Sequence, residues 1–431
     1  MDRAGRRHVG RGRRRRTERG RRDLAAAGPT TGNHSRDLAG TTRTSRSLDM
    51  LAEEKAADDE NLASLSIACC IHSLNGGGAE RVMAGLTSRL AEGGHRVSLI
   101  TFDDGASDRH VIAPSVQHVP LALSADARGL LAKFRQVRAR HRAIADAVGR
   151  LRPDVVLSFC DRTNLDVLMA SEPSGPPVVV CERSDPARQS LGPFWNATRR
   201  HQYRQAAAVV ALTETSARYL RPFSKAVAVI PSAVDAPPVT SDREQACARK
   251  QIAGVGRLEP EKGFDRLLVA FAQATSEDPS WRLVIYGEGT QRDALLAQAK
   301  SLGIHDRLEL PGWVRPLAEP LSQATLFCLP SRYEGFPSAL LEAMSLGVPS
   351  LSVDCESGPR VIIDHGRDGW LVKSSVEGLR GGIETLITDV HRREALGRAG
   401  TRIVDQFGWD TMVDCYEQLL RAVVREHAVP R

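Results

Sequence analysis

Short runs of β-branched and aliphatic residues alternate with amphipathic stretches of helical length from about Leu65 onward. Runs that are apolar throughout indicate strands buried on both faces of a parallel sheet, whereas apolar recurrence at three- and four-residue spacing indicates helices. The first series of runs predicts strands at residues 65–74, 96–102, 155–159, 178–181, 209–212 and 226–230. Helices are predicted between these strands, for example at residues 79–92 and 133–151.

A second series of the same kind follows a segment without periodicity at residues 231–249, within which we place an interdomain linker at 236–249. This series predicts strands at residues 251–255, 282–286, 307–310, 326–329 and 350–353, and residues 376–426 have a helical pattern without strands. The fold class predicted is α/β, with two doubly wound, Rossmann-like domains at 62–235 and 250–431. The carboxyl ends of their strands should face each other across a cleft, and we expect the last helix to pack back on the first domain.

The first 61 residues lack this pattern. Residues 1–49 contain fourteen arginines, no lysine and five acidic residues, an excess of nine positive charges, whereas the whole chain carries +7. With few aliphatic residues, this arginine-rich tail is predicted to be disordered. It is either an arm that binds nucleic acid or an anionic membrane, or a dispensable extension. Met50 follows it, and we hypothesise that translation starts there.

Composition excludes several classes of protein. The 42% of hydrophobic residues is too high for a wholly disordered chain, and no run approaches the ~18 apolar residues of a membrane-spanning helix. The eight cysteines are scattered, without a C-x-x-C pair, and most lie in apolar runs. They are therefore expected to be reduced, buried side chains, and the protein is expected in the cytoplasm.

The first candidate for chemistry is the glycine run Gly76, Gly77 and Gly78, which leads directly into a predicted helix. Glycines allow a ligand to approach the backbone closely, and the unpaired N–H groups at a helix N-terminus attract anions. The spacing differs from G-x-G-x-x-G, although Asp103 after the next strand leaves a nicotinamide dinucleotide site open. The plain alternative is a tight turn.

The second candidate is the loop 254–263, in which Arg257 and Lys262 lie one turn apart after a strand. Two such cations can converge on a diphosphate, the guanidinium as a planar fork and the ammonium as a point charge. The alternative is a solvated basic loop that pairs with Glu259 or Glu261.

The third candidate is the segment 331–344, where Glu334 lies in a loop and Glu342 in the helix that follows. Ionised carboxylates only accept hydrogen bonds, which suits sugar hydroxyls, and the helix N-terminus between them suits a phosphate. Ser338 is predicted to be the N-cap of this helix. Alternatively, a glutamate early in a helix can serve the helix dipole alone.

Together these motifs resemble the family 4 glycosyltransferases. The similarity rests on the run 256–263, the turn Tyr286-Gly287-Glu288-Gly289 and the pair Glu334 and Glu342. The resemblance implies the GT-B fold and retaining, metal-independent transfer. Segments 76–82, 158–164 and 182–186 are similar to one subgroup, which adds hexose or N-acetylhexosamine from a UDP-sugar to undecaprenyl-diphosphate-linked glycans in bacterial glycoprotein or exopolysaccharide assembly.

The resemblance also implies roles for single residues. The catalytic residues implied are Glu334, Lys262 and Arg257, and Glu342 would hold the nucleotide ribose. The remaining donor-binding positions are Gly287, Gly335, Phe336 and Pro337, and Gly77 and Gly78 would lie across the cleft near the leaving phosphate and the acceptor. Apart from the resemblance, Asp161 and Glu182 are predicted at strand ends that face the cleft, where they are candidate bases or acceptor contacts of the acceptor and phosphate loops. The chain contains no D-x-D motif, so no metal site is expected, and the nucleotide sugar is a co-substrate with no further cofactor.

The expected partners are the nucleotide sugar and a glycan or polyprenyl-diphosphate-linked acceptor, with no specific nucleic acid. The basic face of the predicted helix 133–151 suggests an anionic membrane surface as a further partner, at the inner face of the membrane, but the same pattern fits a helix packed on the sheet. Three rival functions remain at this point. They are a nucleotide-sugar epimerase of the same fold, an arginine-tailed nucleic-acid-binding protein with a non-catalytic α/β body, and a nicotinamide enzyme.

Overall fold

The computed structural model describes residues 64–123, 130–189, 191–237, 243–355 and 357–428. The predicted tail 1–61 and Met50 lie outside these residues. The described chain contains two sheets in which every strand pair is parallel, which confirms the predicted α/β fold with two doubly wound halves.

The first sheet has seven strands in the order β3-β2-β1-β4-β5-β6-β7, and the second has six in the order β10-β9-β8-β11-β12-β13. The strands of the first half are β1 Ser66–Ile71, β2 Arg96–Thr101, β3 Gln117–Pro120, β4 Val155–Phe159, β5 Val178–Cys181, β6 Ala208–Ala211 and β7 Val227–Val229. Those of the second half are β8 Gln251–Val255, β9 Arg282–Tyr286, β10 Leu308–Gly312, β11 Leu326–Leu329, β12 Ser350–Val353 and β13 Trp370–Val372.

Helices connect the strands and cover both faces of each sheet. In the first half they are α1 Gly78–Glu92, α2 Leu130–Leu151, α3 Asp161–Ala170, α4 Pro193–Gln202 and α5 Glu214–Leu220. The later helices are α6 Arg243–Ala248, α7 Phe264–Ala274, α8 Arg292–Ser301, α9 Ala318–Ser322, α10 Ser338–Ser345, α11 Pro359–Ile362, α12 Val376–Thr388, α13 Val390–Gly400, α14 Ile403–Gln406 and α15 Trp409–Ala428. Among the described residues, no helix is both long enough and apolar enough to cross a membrane.

Two details differ from the sequence pattern, and a third bears on an alternative that the pattern left open. Strands β3 and β13 were not predicted; both are edge strands of three or four residues, too short for an alternating pattern to be recognised. Helix α6 lies inside the segment predicted as linker. Helix α2 has Ile144 and Ala147 buried in the core of the first half, so at least this end of its apolar stripe packs on the sheet.

The C-terminal helix α15 belongs to the core of the first half, although it follows the second half in the chain. Trp409, Tyr416 and Leu420 on one face of α15 are buried in the same cluster as strands β1 and β4. At Gly85 of helix α1, a Cβ atom would lie 2.4 Å from the Trp409 ring. The two helices therefore pack at a distance that only a glycine permits.

Candidate nucleotide-sugar site in the cleft between the two halves

The order of the strands in each sheet determines where the loops with the candidate site residues lie. In each sheet the order reverses at a central pair, between β1 and β4 in the first and between β8 and β11 in the second. Loops after the carboxyl ends of such a pair diverge and leave a crevice, where ligands of doubly wound folds bind. Here the loops of the two halves face each other and line a cleft of about 820 Å³. Except for Glu182, every site residue predicted from the sequence lines this cleft.

Lys262 and Glu334 form the central ion pair of the second half. Lys262 ends a 3₁₀ turn after β8, and its Nζ lies 2.7 Å from Oε1 of Glu334 in the loop after β11. The Ser331 hydroxyl donates to the same oxygen at 2.6 Å. The Glu334 side chain is only 9% exposed, so without Lys262 its charge would be costly to bury. The pair places one cation and one hydrogen-bond acceptor side by side on the cleft wall.

Arg257 lies at the rim of the cleft. Its side chain is 70% exposed, and its Nη2 lies 3.2 Å from Oε1 of Glu261. Glu259 is engaged elsewhere, since it accepts hydrogen bonds from the backbone N–H and the hydroxyl of Thr290. Because Arg257 itself is exposed, its ion pair with Glu261 is a weak surface contact, which a phosphate could replace at little cost.

Two helix N-termini meet across the cleft. Helix α1 begins at Gly78 and helix α10 at Ser338, and a Cβ atom at Gly78 would lie 3.2 Å from the Ser338 hydroxyl oxygen. The unpaired N–H groups and the dipoles of both helices favour an anion between them. The N-cap of α10 is Pro337, without a side-chain cap, so the prediction of Ser338 as N-cap was wrong; Ser338 is the first helical residue.

The neighbouring loop residues offer mainly backbone to the cleft. Phe336 is buried, and its ring packs against Phe407 with centroids 5.1 Å apart. At Gly287, a Cβ atom would lie 2.0 Å from the carbonyl oxygen of Gly256. The loops after β8 and β9 are therefore in contact, and no larger residue fits at this point.

Glu342, one turn into helix α10, carries a second carboxylate to the cleft. Its Oε2 accepts a hydrogen bond from Nη1 of Arg315 at 3.3 Å, and its Oε1 lies 3.4 Å from Nε of Arg81 in the first half. Neither arginine was assigned a role from the sequence. Only the Gly76–Arg81 motif hinted at Arg81, and nothing in the sequence pointed to Arg315.

On the first-half side, Gly77, Gly78 and Asp161 line the cleft together with an unpredicted pair, His72 and Glu80. The His72 Nε2 and Glu80 Oε1 atoms are 3.1 Å apart. The hydrogen bond to Glu80 raises the pKa of His72 despite its burial. Burial is the largest single influence on Glu80 and would raise its pKa, but the hydrogen bond to His72, a backbone hydrogen bond and the nearby histidines together lower it. This wall therefore offers both donors and acceptors to a polar ligand.

Glu182 lies beneath the cleft, not on its wall. It is 1% exposed at the end of β5, where it accepts a 2.7 Å hydrogen bond from the Tyr203 hydroxyl and lies 3.5 Å from Nη1 of the equally buried Arg199. Burial raises the pKa of Glu182 to about 7, against the opposing effect of Arg199. The sequence placed Glu182 correctly at a strand end, but the strand end alone does not reveal that the side chain turns into the interior.

Comparison with known proteins agrees with this geometry. Residues 76–236 match the family described as Glycosyltransferase Family 4, and residues 242–403 match the Glycosyl transferases group 1 family. The two matches cover most of both halves. The chain belongs to the family 4 glycosyltransferases, and its two facing halves form the GT-B fold.

Several relatives are recognisable. The chain is 36% identical over 230 residues to an exopolysaccharide phosphotransferase of Streptomyces coelicolor, covering 52% of this chain and 24% of that one. It thus spans about a quarter of that relative's length. It is 27% identical, over 79% of this chain and 94% of the other, to the Campylobacter jejuni GalNAc-alpha-(1->4)-GalNAc-alpha-(1->3)-diNAcBac-PP-undecaprenol alpha-1,4-N-acetyl-D-galactosaminyltransferase.

Among solved structures, Anabaena HepE in complex with UDP and glucose superposes with a TM-score of 0.70. The identity is 19%, over 83% of this chain and 99% of that one. At this level of identity the likeness shows the shared fold.

Proposed function

We propose that this protein transfers a hexose or N-acetylhexosamine from a UDP-sugar to a lipid-linked glycan. The observation that carries the proposal is the convergence of two helix N-termini with Lys262 and Arg257 on one cleft, beside the carboxylates Glu334 and Glu342. Cations and helix N-termini fit a diphosphate, and carboxylates fit sugar hydroxyls. A nucleoside-diphosphate sugar contains both groups.

The arrangement along helix α10 and its preceding loop supports the proposed donor, with the following roles. Glu342 accepts the ribose hydroxyls, the backbone of Gly335 and Pro337 faces the diphosphate, and Glu334 accepts from hydroxyls of the transferred sugar. The complex of Anabaena HepE with UDP and glucose, on the same fold, supports UDP as the nucleotide.

The acceptor binds on the first-half side, near Gly77 and Asp161. The Campylobacter jejuni relative, whose name specifies an undecaprenol-diphosphate-linked glycan, supports a polyprenyl-diphosphate-linked acceptor. We accordingly propose action at the cytoplasmic face of the membrane, with the anionic lipid surface as a further partner.

The reaction requires the sugar C1–phosphate bond to break and a bond from C1 to the acceptor oxygen to form. The departing diphosphate gains negative charge, which Lys262, Arg257 and the helix N-termini stabilise without a metal ion. We propose that configuration at C1 is retained and that the departing phosphate oxygen takes the acceptor proton. No strong protein base is then required.

The first test is thermal stabilisation of the full chain by UDP, GDP, ADP and NAD. A ligand at 100 times its dissociation constant adds about 2.7 kcal/mol to the free energy of unfolding. We expect a melting shift with UDP that is lost in Glu342→Ala. Two results would overturn the proposed donor. One is a melting shift with NAD but with none of the nucleoside diphosphates, and the other is no melting shift with any of the four ligands.

The second test is transfer itself. With a UDP-sugar and a polyprenyl-diphosphate-linked glycan, we expect UDP release to depend on the acceptor, to survive EDTA and to yield an α-linked product from an α-linked donor. Conversion of the donor sugar without any acceptor would instead indicate an epimerase of the same fold.

A further inference from the structure

Arg81 lies in the first turn of helix α1. Its contacts are not explained by any of the roles proposed above for the residues of the cleft. It follows the glycine run of the first half, and its side chain is only 13% exposed. Its Nη2 donates to the carbonyl oxygen of Ala233 at 2.9 Å, its Nη1 lies 3.4 Å from Oδ2 of Asp235, and its Nε lies 3.4 Å from Oε1 of Glu342. The guanidinium of Arg81 thus links helix α1 to the segment at residues 233–235 and to Glu342 on helix α10.

Two of these partners belong to the segment that leads from the first half to the second. Val234, between Ala233 and Asp235, donates its backbone N–H to the carbonyl of Phe407 at 2.8 Å. Phe407 lies on the return segment, just before Trp409 begins helix α15. Arg81 is therefore placed where both connections between the halves meet.

The third partner, Glu342, lies on the second half and faces two guanidinium groups. Arg315 of the same half approaches Oε2 at 3.3 Å, and Arg81 of the opposite half approaches Oε1. A carboxylate has about four lone-pair positions, so both arginines can remain while two ribose hydroxyls donate to the same oxygens. The two arginines then hold the carboxylate in place, one from each half of the molecule.

We propose that Arg81 is a positioning residue for the donor. It holds Glu342 in the orientation that a nucleotide ribose requires, and it ties that orientation to the segment joining the two halves. This inference rests on the proposed function, in which Glu342 binds the ribose. It also gives the arginine of the Gly76–Arg81 motif a role distinct from that of the glycines.

Helix α1 supplies a matched control two turns later. Arg89 pairs with Oδ1 of the same Asp235 at 3.0 Å and stacks on the Trp409 ring at 4.0 Å, whereas Arg81 lies 6.0 Å from that ring. No contact joins Arg89 to Glu342 among the described interactions. If losing the contacts with Asp235 and Trp409 were enough to weaken UDP binding, the Arg89 and Arg81 variants should therefore lose UDP affinity to the same extent.

The experiment measures UDP affinity by calorimetry in the full chain for wild type, Arg81→Met, Arg89→Met, Glu342→Gln and the double variant Arg81→Met with Glu342→Gln. We expect Arg81→Met to weaken UDP binding about tenfold, the size of a typical coupling between contacting residues. Arg89→Met should stay near wild type. The double variant should bind no more weakly than Glu342→Gln alone, because Arg81 acts through that carboxylate.

Three results would overturn the proposal: wild-type affinity in Arg81→Met, equal losses in the Arg81 and Arg89 variants, or losses that multiply in the double variant. If wild type itself bound no nucleotide diphosphate, the proposed function and this inference would both fall. Melting curves monitor folding; if Arg81→Met does not fold, Arg81→Lys in the same cycle keeps the charge and removes the planar fork.

Discussion

Lys262 and Glu334 depend on each other at the scale of single residues. On the proposed function, Lys262→Ala should lower kcat by roughly 10²–10³-fold, because the variant lacks the preorganised cation that would stabilise the departing diphosphate. It should also lower the melting temperature, since Glu334 keeps a buried charge without its partner at 2.7 Å. Turnover assays and melting curves measure the two effects.

The double variant Lys262→Met with Glu334→Gln separates them. It removes both charges, so stability should return while turnover stays low. Recovery of turnover together with stability would contradict a chemical role for Lys262.

Glu182 is expected to make the free energy of unfolding of the protein depend on pH. Its pKa rises from 4.5 to about 7 on folding, so between these values the folded chain holds a proton that the unfolded chain has released. The stabilisation is thus complete below pH 4.5 and is lost as the pH rises through 7. Relative to Glu182→Gln, wild type should lose up to about 3 kcal/mol over this range. Urea titrations at pH 5 and 7.5 measure the difference, and parallel pH profiles would refute it.

At the scale of structural elements, the loop before helix α10 fits closely against the loop after β5. A Cβ atom at Gly335 would lie 2.7 Å from Cα and 2.8 Å from the carbonyl carbon of Ser184. Both of these Ser184 atoms belong to the backbone, which cannot move aside as a flexible side chain can. Gly335→Ala should therefore push the donor loop out of place, at a cost of about 1–3 kcal/mol, and should reduce kcat/KM.

Gly381 in helix α12 is the matched control, since a Cβ there meets nothing within 4 Å. Gly381→Ala should leave kcat/KM unchanged and add about 0.5–1 kcal/mol of stability, because alanine is the better helix former. Equal kinetics in the two variants would show that the loop contact does not matter.

At the scale of the whole molecule, the last helix completes the core of the first half. Tyr416 is fully buried, with its ring centroid 6.1 Å from that of Phe159 and its hydroxyl 3.2 Å from Sγ of Cys181. Tyr416→Ala should cost roughly 3–5 kcal/mol, as for other large aromatic truncations. Tyr416→Phe keeps the ring and should cost about 1 kcal/mol. Equal midpoints of urea unfolding in the two variants would argue against this packing.

The sequence by itself determined the two parallel sheets and pointed to the loops that line the cleft. Buried strands need continuous apolar runs, and a glycine, cation or carboxylate in the loop or the first helical turns after such a run lies near the carboxyl edge of the sheet. Gly77, Gly78, Lys262, Glu334 and Glu342 could therefore be singled out from local pattern and family resemblance, and the structure brings them to one cleft.

Only the tertiary structure decided which way side chains turn and which distant residues meet. Glu182 follows a strand as Lys262 does, yet it points inward to Tyr203. Arg81 and Glu342 are far apart in the chain and come within 3.4 Å because two separately built sheets face each other. Local pattern records burial and periodicity, whereas contacts between distant segments depend on how complete elements pack.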